Sequence, residues 1–371
     1  MDRFSRDIIQ LIFSKLPAKN LVKLRCVCKR WNREDNRFWE IGCHDIPEFN
    51  LDEYKLGSSC NGILCFSRET RDHIWMAYLL NPCRKEILKL PPHDLKAQSY
   101  IFNRKYGLGF DRATSEYKVV CISLTIPRES GKRSAETEIY TLGSKSSSSR
   151  SWRALSQDIP SLITRFESIF YTGDGDGDHH IDERAIYAGG VLYWVNSEKR
   201  EELYYFGDNT ESNYFEETYY NKLFTFHMGK EEFRLISHPN VKHYYYSYHL
   251  VDLRGVLGFV GHSAVDLSHI KVWTLEDYDG ELWSKRYSIK IGGVPKYNAT
   301  HVIGPWENGK LLLRYRNSFV AYNPNTHTLI NIRIPQLKPS TLAFSFTGSL
   351  VSLFCFKVEE GEKLVVEDQS F

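Results

Sequence analysis

The sequence lacks any uninterrupted apolar run of the ~18 residues that a membrane-spanning helix needs. It also contains no Gly-x-Ser-x-Gly motif, no His-Glu-x-x-His motif and no glycine-rich loop of the kind that holds phosphate. Its eight cysteines show none of the paired spacings that are typical of a zinc site. These absences favour a chain that does not span a membrane and holds no metal or other cofactor, and they argue weakly against catalysis.

One acidic segment, Gly173–His180, suggests calcium binding at first sight. An EF-hand loop that started at Asp174 would need glycine at position 179 and glutamate at position 185, where the chain has His179 and Ala185. The two adjacent histidines have no matching Cys/His pair at zinc spacing. We therefore expect a solvated loop and no metal site.

The net charge of the chain is +2, and it is unevenly distributed. Residues 1–40 contain ten Lys or Arg and five Asp or Glu, which leaves a net charge of −3 for residues 41–371. A nucleic-acid-binding domain would usually carry a basic face, so the main part of the chain does not fit that class. The N-terminal residues are charged and amphipathic, unlike a signal peptide. We therefore expect free thiols in a reducing cytoplasmic or nuclear compartment.

The first 40 residues carry apolar side chains at helical spacing in three short pieces. The first predicted helix ends near Leu16, because Pro17 disfavours helical geometry in the residue before it. Its apolar stripe is wider than one small neighbour can cover, and three such helices alone bury little surface. We infer that part of the stripe faces another protein. The alternative is an ordinary helical cap packed on the main domain.

The order of these residues resembles the F-box motif over residues 4–40. The segments that carry the resemblance are Asp7-Ile8-Ile9, Leu16–Leu21 and Arg25–Trp31. Two departures are Phe4-Ser5 in place of the usual Leu-Pro and the polar run Asn32–Arg37. The resemblance implies binding to a Skp-type adaptor and, through it, to a cullin-based ubiquitin ligase. The residues that it implies in adaptor binding are Phe4, Ile8, Ile9, Ile12, Leu16, Pro17, Leu21, Val27, Cys28 and Trp31.

From about Leu56 onward, short aromatic and β-branched runs alternate with Gly, Pro, Asn and Asp turns, which predicts strands. Two kinds of segment recur. The first has a small or turn residue, a glycine and an apolar strand, and its copies begin at Asn61, Gly189, Arg254, Asn308 and Thr347. The second is a hairpin, expected at Leu79–Pro91, Ile139–Leu155, Leu223–Pro239, Val272–Ile289 and Val320–Pro335.

These two kinds of segment alternate, with roughly 35–60 residues per unit. Such alternation is typical of a repeat built from four-stranded sheets. Stacking such sheets around an axis buries the faces that one sheet could not bury alone. We therefore predict a mainly-β domain, a β-propeller of about six blades. The sixth blade would combine residues 342–358 with a strand from near the start of the domain. A pair of packed sheets is the alternative, which length and regular spacing disfavour.

Segments spread over most of residues 56–340 resemble, in order, the plant F-box-associated domain, a kelch-like family that includes the S-locus F-box proteins. They are Gly57–Cys65, Asn81-Pro82, Gly107–Asp111, Glu116–Val120, Ser151-Trp152, Gly190–Trp194, Val272–Tyr278 and Tyr322–Pro324. The resemblance implies a domain that recognises a target protein.

Long loops at residues 143–151, 173–180 and 196–221 interrupt the units, and such loops are often functional or disordered. The most distinctive surface candidate is the run His243–His249. Alternate residues of a strand face opposite sides, and tyrosine is favoured in binding sites. We therefore predict that Tyr244, Tyr246 and Tyr248 contribute to substrate binding. The alternative is the outer strand of a blade.

The predicted organisation is an F-box at 1–42, a linker at 43–55, the β domain at 56–358 and an acidic tail at 359–371. The predicted function is that of a non-catalytic substrate-recognition subunit of an SCF-type ubiquitin ligase, which brings a target protein to ubiquitination and degradation. Two alternatives stay open. One is a propeller enzyme that acts on a small molecule through a carboxylate-lined axial pocket; the other is a non-degradative F-box scaffold.

Overall fold

The computed structural model describes residues 54–70, 74–93, 99–127, 134–142, 151–155, 184–195, 222–239, 245–263, 269–291, 300–315, 318–332, 344–345 and 347–356. They form twenty β-strands and two short 3-10 helices, Glu307–Gly309 and Leu353–Phe356, and no α-helix lies among them. No helix within these stretches has the length and apolar character to cross a membrane. The prediction of a mainly-β domain is therefore confirmed.

Each successive set of four strands forms an antiparallel meander, and five such units follow one another. Unit 1 contains β1 (Lys55–Cys60), β2 (Ile63–Glu69), β3 (Trp75–Asn81) and β4 (Glu86–Lys89). Unit 2 contains β5 (Ser99–Asp111), β6 (Glu116–Pro127), β7 (Ser134–Leu142) and β8 (Arg153–Ala154). Unit 3 contains β9 (Ala185–Ala188), β10 (Val191–Trp194), β11 (Lys222–His227) and β12 (Glu232–Ser237). Unit 4 contains β13 (Tyr245–Asp252), β14 (Leu257–Ser263), β15 (His269–Asp277) and β16 (Leu282–Lys290). Unit 5 contains β17 (His301–Pro305), β18 (Leu311–Tyr315), β19 (Ser318–Asn323) and β20 (Thr328–Ile332).

The predicted turn–glycine–strand segments form the turn between the first two strands in four of the five units. The residue pairs at their tips all have positive φ: Asn61-Gly62, Gly189-Gly190, Arg254-Gly255 and Asn308-Gly309. Two consecutive residues with positive φ match the right-handed twist of an antiparallel pair, which is why glycine recurs there. The fifth predicted copy, at Thr347, is wrong, because residues 347–352 form no strand.

A four-residue turn with an acceptor side chain at its start also recurs once in each unit. Asp111 Oδ1, for example, accepts hydrogen bonds from the backbone N–H groups of Ala113 and Thr114. The equivalent acceptors in the other units are Asn81, His227, Asp277 and Asn323. A side chain that caps its own turn in this way fixes the loop without help from distant residues. The five hairpins predicted from the sequence are all paired as expected.

Consecutive units pack face to face, and each interface has its own buried apolar cluster. Units 1 and 2 meet through a cluster that includes Leu79 and Leu108, and units 2 and 3 through one that includes Val120 and Phe224. Further clusters join unit 3 to unit 4 and unit 4 to unit 5. A pair of packed sheets would have a single such interface, so these four successive interfaces argue against that alternative.

The first strands of the units approach each other closely. β1 and β9 pair in parallel, Ser58 with Ala185, which joins units 1 and 3 into one eight-stranded sheet. Gly107 in β5 has no side chain, and a Cβ atom there would lie 2.8 Å from Leu192 Cδ1 and 3.0 Å from Trp194. Glycine is therefore required where the first strand of unit 2 packs against unit 3.

Residues 347–356, which we call the C-terminal clasp, lie against unit 1. Asn81 Nδ2 donates to the carbonyl groups of Ser349 at 3.1 Å and Val351 at 2.6 Å. Glu86 Oε2 accepts hydrogen bonds from Ser352 Oγ at 3.0 Å and from the Leu353 N–H at 2.7 Å, and the Leu353 side chain is fully buried. The prediction that this region forms a sixth sheet is wrong for residues 347–356. Their backbone groups bond to side chains of unit 1, and no strand partner is found among the described residues.

Candidate functional site

The units present two unlike ends, because successive connections of a meander alternate between opposite ends of its strands. We call the end with the first and third connections the turn face and the opposite end the loop face. Cross-unit contacts bring turn-face ends together: Tyr187 Oη donates to the Phe110 carbonyl at 2.7 Å, and Arg153 pairs with Glu231 at 2.6 Å. The long connections 156–183 and 196–221 therefore leave from the loop face.

A buried ion network holds the turn faces of units 2 and 3 together. Lys118 Nζ lies 2.8 Å from Asp111 Oδ2, 2.9 Å from Glu231 Oε1 and 3.1 Å from the Met228 carbonyl oxygen. Burial raises the pKa of both carboxyl groups, but it is outweighed by their hydrogen bonds and charge interaction with Lys118 together with the turn N–H groups at Asp111 and Arg153 at Glu231, so both pKa values lie below the ordinary range. Every charge in this network has a partner, which indicates a structural role. Asp111 is also a turn residue whose side chain bonds its own backbone.

A second ionic contact joins the turn faces of units 3 and 4. Arg234 donates to Glu281 at 3.1 Å and to the Asp279 carbonyl at 3.1 Å, and its guanidinium lies 5.4 Å from the ring centre of Tyr278. Glu281 also accepts a hydrogen bond from the Ser237 N–H at 2.8 Å. The charged groups of this contact are thus engaged with one another across the interface.

A polar cluster is buried between units 1 and 2, and its central residue, His93, belongs to the connection that leaves β4. His93 Nδ1 lies 2.5 Å from Glu138 Oε2, and His93 Nε2 lies 3.0 Å from Tyr106 Oη. The ring stacks on Trp152 at 4.0 Å, and Trp152 Nε1 donates to the Pro91 carbonyl at 2.8 Å. Trp152, from the Ser151-Trp152 segment of the family resemblance, therefore fixes the path of this connection.

The strand register explains why these polar groups meet. Tyr106, Cys121 and Glu138 are directly paired across β5, β6 and β7, so their side chains share one side of the sheet. Burial by itself lowers the pKa of His93, but Cys121 and the hydrogen bond with Glu138 outweigh burial and the nearby Arg104. The pKa of His93 therefore lies above its ordinary value.

Of the three tyrosines predicted to bind substrate, Tyr246 and Tyr248 belong to the first strand of unit 4, not to an outer strand. Tyr244 lies outside the described residues, and the Tyr246 side chain does too. The Tyr248 ring stacks on Phe259 at 5.2 Å, and His238 stacks on the same phenylalanine at 5.1 Å. Tyr248 is therefore half-buried at the junction of units 3 and 4, beside the loop face.

Tyr248 also begins a row of side chains that runs across unit 4. It pairs with Gly261, Gly261 pairs with Lys271, and Lys271 pairs with Ser288, so all four positions are on one side of the sheet. Lys271 of this row was not among the residues predicted from the sequence. The available signal was strand β16, which carries Lys285, Arg286 and Lys290 and no acidic residue.

The other predicted sites have these outcomes. All residues predicted to bind the adaptor, and the segment Gly173–His180, lie outside the described residues. Cys60 and Cys65 are buried members of the cluster between units 1 and 2, where they pack as small apolar side chains. Within the described stretches, no group of three or more His, Cys, Asp or Glu side chains is arranged to hold a metal ion.

Comparison with protein families identifies two regions of the chain. Residues 1–40 match the F-box domain, and residues 44–354 match the F-box associated beta propeller domain. The chain belongs to this F-box-associated family. Its relatives from Arabidopsis thaliana include F-box protein At3g07870, which is 25% identical over 87% of this chain and 86% of its own length. F-box protein CPR1 is 23% identical over 93% of this chain and 88% of its own length.

The family motifs of this plant F-box protein have structural roles wherever they are described. Asn81 and Asn323 cap equivalent turns of units 1 and 5, and Gly107 allows the close approach of unit 3. Trp273, within the motif of unit 4, is buried against unit 3. The motifs therefore specify the scaffold.

Proposed function

We propose that this protein is the substrate-recognition subunit of an SCF-type ubiquitin ligase. The observation that carries the proposal is the F-box match at residues 1–40, followed directly by the F-box-associated match at 44–354. The F-box module binds a Skp-type adaptor, and the β domain captures a target protein in the cytoplasm or nucleus. The chain supplies proximity, not chemistry: it raises the effective concentration of target lysines near the ubiquitin-conjugating enzyme.

We also propose that the units close into a propeller. Support comes from contacts at the two ends of the series. A Cβ atom at Gly304 of unit 5 would lie 2.5 Å from Ser345, and Phe344 packs with the apolar cluster of unit 1 that contains Leu64 and Leu80. The clasp continues along unit 1. Residues 344–356 thus run from the last unit to the first, where a closing element of a ring would lie.

The loop face is the proposed side for target capture. The long connections 156–183 and 196–221 leave from it, and loops on a rigid scaffold commonly carry recognition. The described turn face, by contrast, is occupied by short capped turns and by ion pairs that join neighbouring units.

Adaptor binding is tested by replacing Ile9 or Leu16 with aspartate in the full-length chain. Each change places a charge on the apolar stripe and should abolish co-purification with the adaptor. The matched control is Ile330→Asp, an exposed residue of β20 that should leave co-purification unchanged. Circular dichroism of each variant checks that the β domain remains folded. Retention of the adaptor by both stripe variants would refute the assignment.

A further inference from the structure

The outer hairpin of unit 4 separates its charges by sign. Its turn-face end contains Glu276, Asp277 and Glu281, whereas Lys271, Lys285 and Lys290 lie between the middle of the hairpin and its loop-face end. We call these three lysines the basic face of unit 4. The acidic and basic groups also differ in whether they have partners within the described chain.

The acidic groups already have partners. Glu276 Oε1 accepts hydrogen bonds from Thr274 Oγ1 and Ser284 Oγ, each at 2.6 Å. Asp277 Oδ1 caps its own turn by accepting from the Asp279 N–H at 3.1 Å. Glu281 is bonded to unit 3, as described above. These carboxylates therefore stabilise the hairpin and its junction with unit 3.

The three lysines, by contrast, form no ion pair within the described chain, and Lys285 and Lys290 are exposed. Their side chains share one side of the sheet, because Lys271 pairs with Ser288, His269 with Lys290, and Trp273 with Lys285. Among the described residues, the outer strand of unit 3 ends at Ser237, whose carbonyl accepts a hydrogen bond from Trp283 Nε1. The basic face thus lies beyond the end of this strand.

The basic face continues into the aromatic row already described. Gly261 of β14 stands between Tyr248 and Lys271, so the backbones that carry the aromatic ring and the ammonium group are two strand spacings, roughly 10 Å, apart. Lys285 and Lys290 are five residues apart on β16, or about 17 Å along an extended strand. This spacing suits an extended peptide segment of about five or six residues.

We propose that the basic face of unit 4 binds an acidic segment of the target protein. The inference rests on the proposed receptor function and adds the chemical class of the target. Carboxylates spaced along the segment pair with Lys271, Lys285 and Lys290, and an apolar side chain of the segment contacts Tyr248 over Gly261. Charge complementarity selects this partner. The net charge of −3 on residues 41–371 disfavours nucleic acid, which needs a broadly basic surface.

The experiment measures fluorescence anisotropy of labelled twelve-residue peptides with the full-length chain, purified after co-expression with a Skp-type adaptor. One peptide carries six glutamates and one leucine, and its partner carries glutamine in place of each glutamate. The glutamate peptide should bind at least tenfold more tightly, and its affinity should fall as salt is raised. The double variant Lys271→Gln/Lys290→Gln should weaken it about fivefold, because exposed ion pairs are individually weak.

The matched control is Lys89→Gln/Lys310→Gln, which removes two lysines of units 1 and 5 and should leave binding of the glutamate peptide unchanged. Equal affinity for the two peptides, equal loss in both double variants, or tighter binding of a single-stranded DNA of twelve nucleotides would overturn the inference. Co-purification of the adaptor, scored in the same preparations, tests the receptor function separately. Loss of adaptor binding with intact selection of the glutamate peptide would refute the receptor function alone.

Discussion

Replacing Asn81 with alanine would remove the two hydrogen bonds by which unit 1 holds the C-terminal clasp. Each such bond contributes about 0.5–1.5 kcal/mol net, and a buried carbonyl left without its donor costs roughly 1–3 kcal/mol. Asn81 also caps its own turn through the Cys83 N–H. Because the side chain is fully buried, we expect Asn81→Ala to lower the free energy of unfolding by about 3 kcal/mol.

Unit 5 provides the matched control for this prediction. Asn323 caps the equivalent turn through the Asn325 N–H at 3.0 Å, but it makes no contact with the clasp in the described structure. Asn323→Ala should therefore lose only the cap, about 1 kcal/mol. The difference between the variants, about 2 kcal/mol, measures the attachment of the clasp.

The assay is urea unfolding of the full-length chain at pH 7, followed by tryptophan fluorescence, with hydrogen exchange as a local probe. Amide protons at residues 349–353 should exchange faster in Asn81→Ala and at the wild-type rate in Asn323→Ala. Equal destabilisation by the two substitutions, with unchanged exchange at these residues, would show that the clasp adds nothing to the stability of unit 1.

Two further predictions concern the buried polar groups between units. Since the pKa of His93 is raised on folding, its stabilising contribution is complete below its unfolded pKa of about 6.5 and is lost as pH rises through the folded value. Wild type should therefore gain stability over His93→Gln between pH 8 and pH 6, and parallel urea midpoints across that range would contradict this. Lys118→Met should cost about 3–5 kcal/mol at pH 7, because it leaves Asp111 and Glu231 without their ammonium group. The loss should shrink as pH falls below about 4 and these carboxyl groups become protonated, and a loss under 1 kcal/mol at pH 7 would count against the network.

The repeat could be read from the sequence because its signals are local. Paired residues that adopt positive φ, such as Asn61-Gly62, and side chains that cap their own turns, such as Asp111, act over fewer than five residues. Each therefore appears in the sequence wherever its turn exists. The hairpin boundaries followed from these signals, since a turn fixes the register of the strands beside it.

The remaining features depend on contacts between distant residues, for which the sequence carries no local signal. Nothing near Tyr248 distinguishes a first strand from an outer one, so its place at the junction of units 3 and 4 was not predicted. The pairing of β1 with β9 and the attachment of the clasp join residues more than a hundred positions apart. The copy expected at Thr347 failed for this reason: its backbone bonds to Asn81 and Glu86, and not to a neighbouring strand.

The parallel contact between Ser58 and Ala185, together with the clasp, has a consequence for synthesis on the ribosome. Unit 1 is made first. Its first strand, however, can pair with β9 only after residues near 185 are made, and Asn81 can bond the clasp only after residues near 350 are made. Throughout translation, the nascent chain must therefore keep Leu64 and Leu80 from aggregating before their cover from Phe344 arrives. If translation stopped early, the truncated chain would contain unit 1, the first unit made, without the later residues that complete its packing.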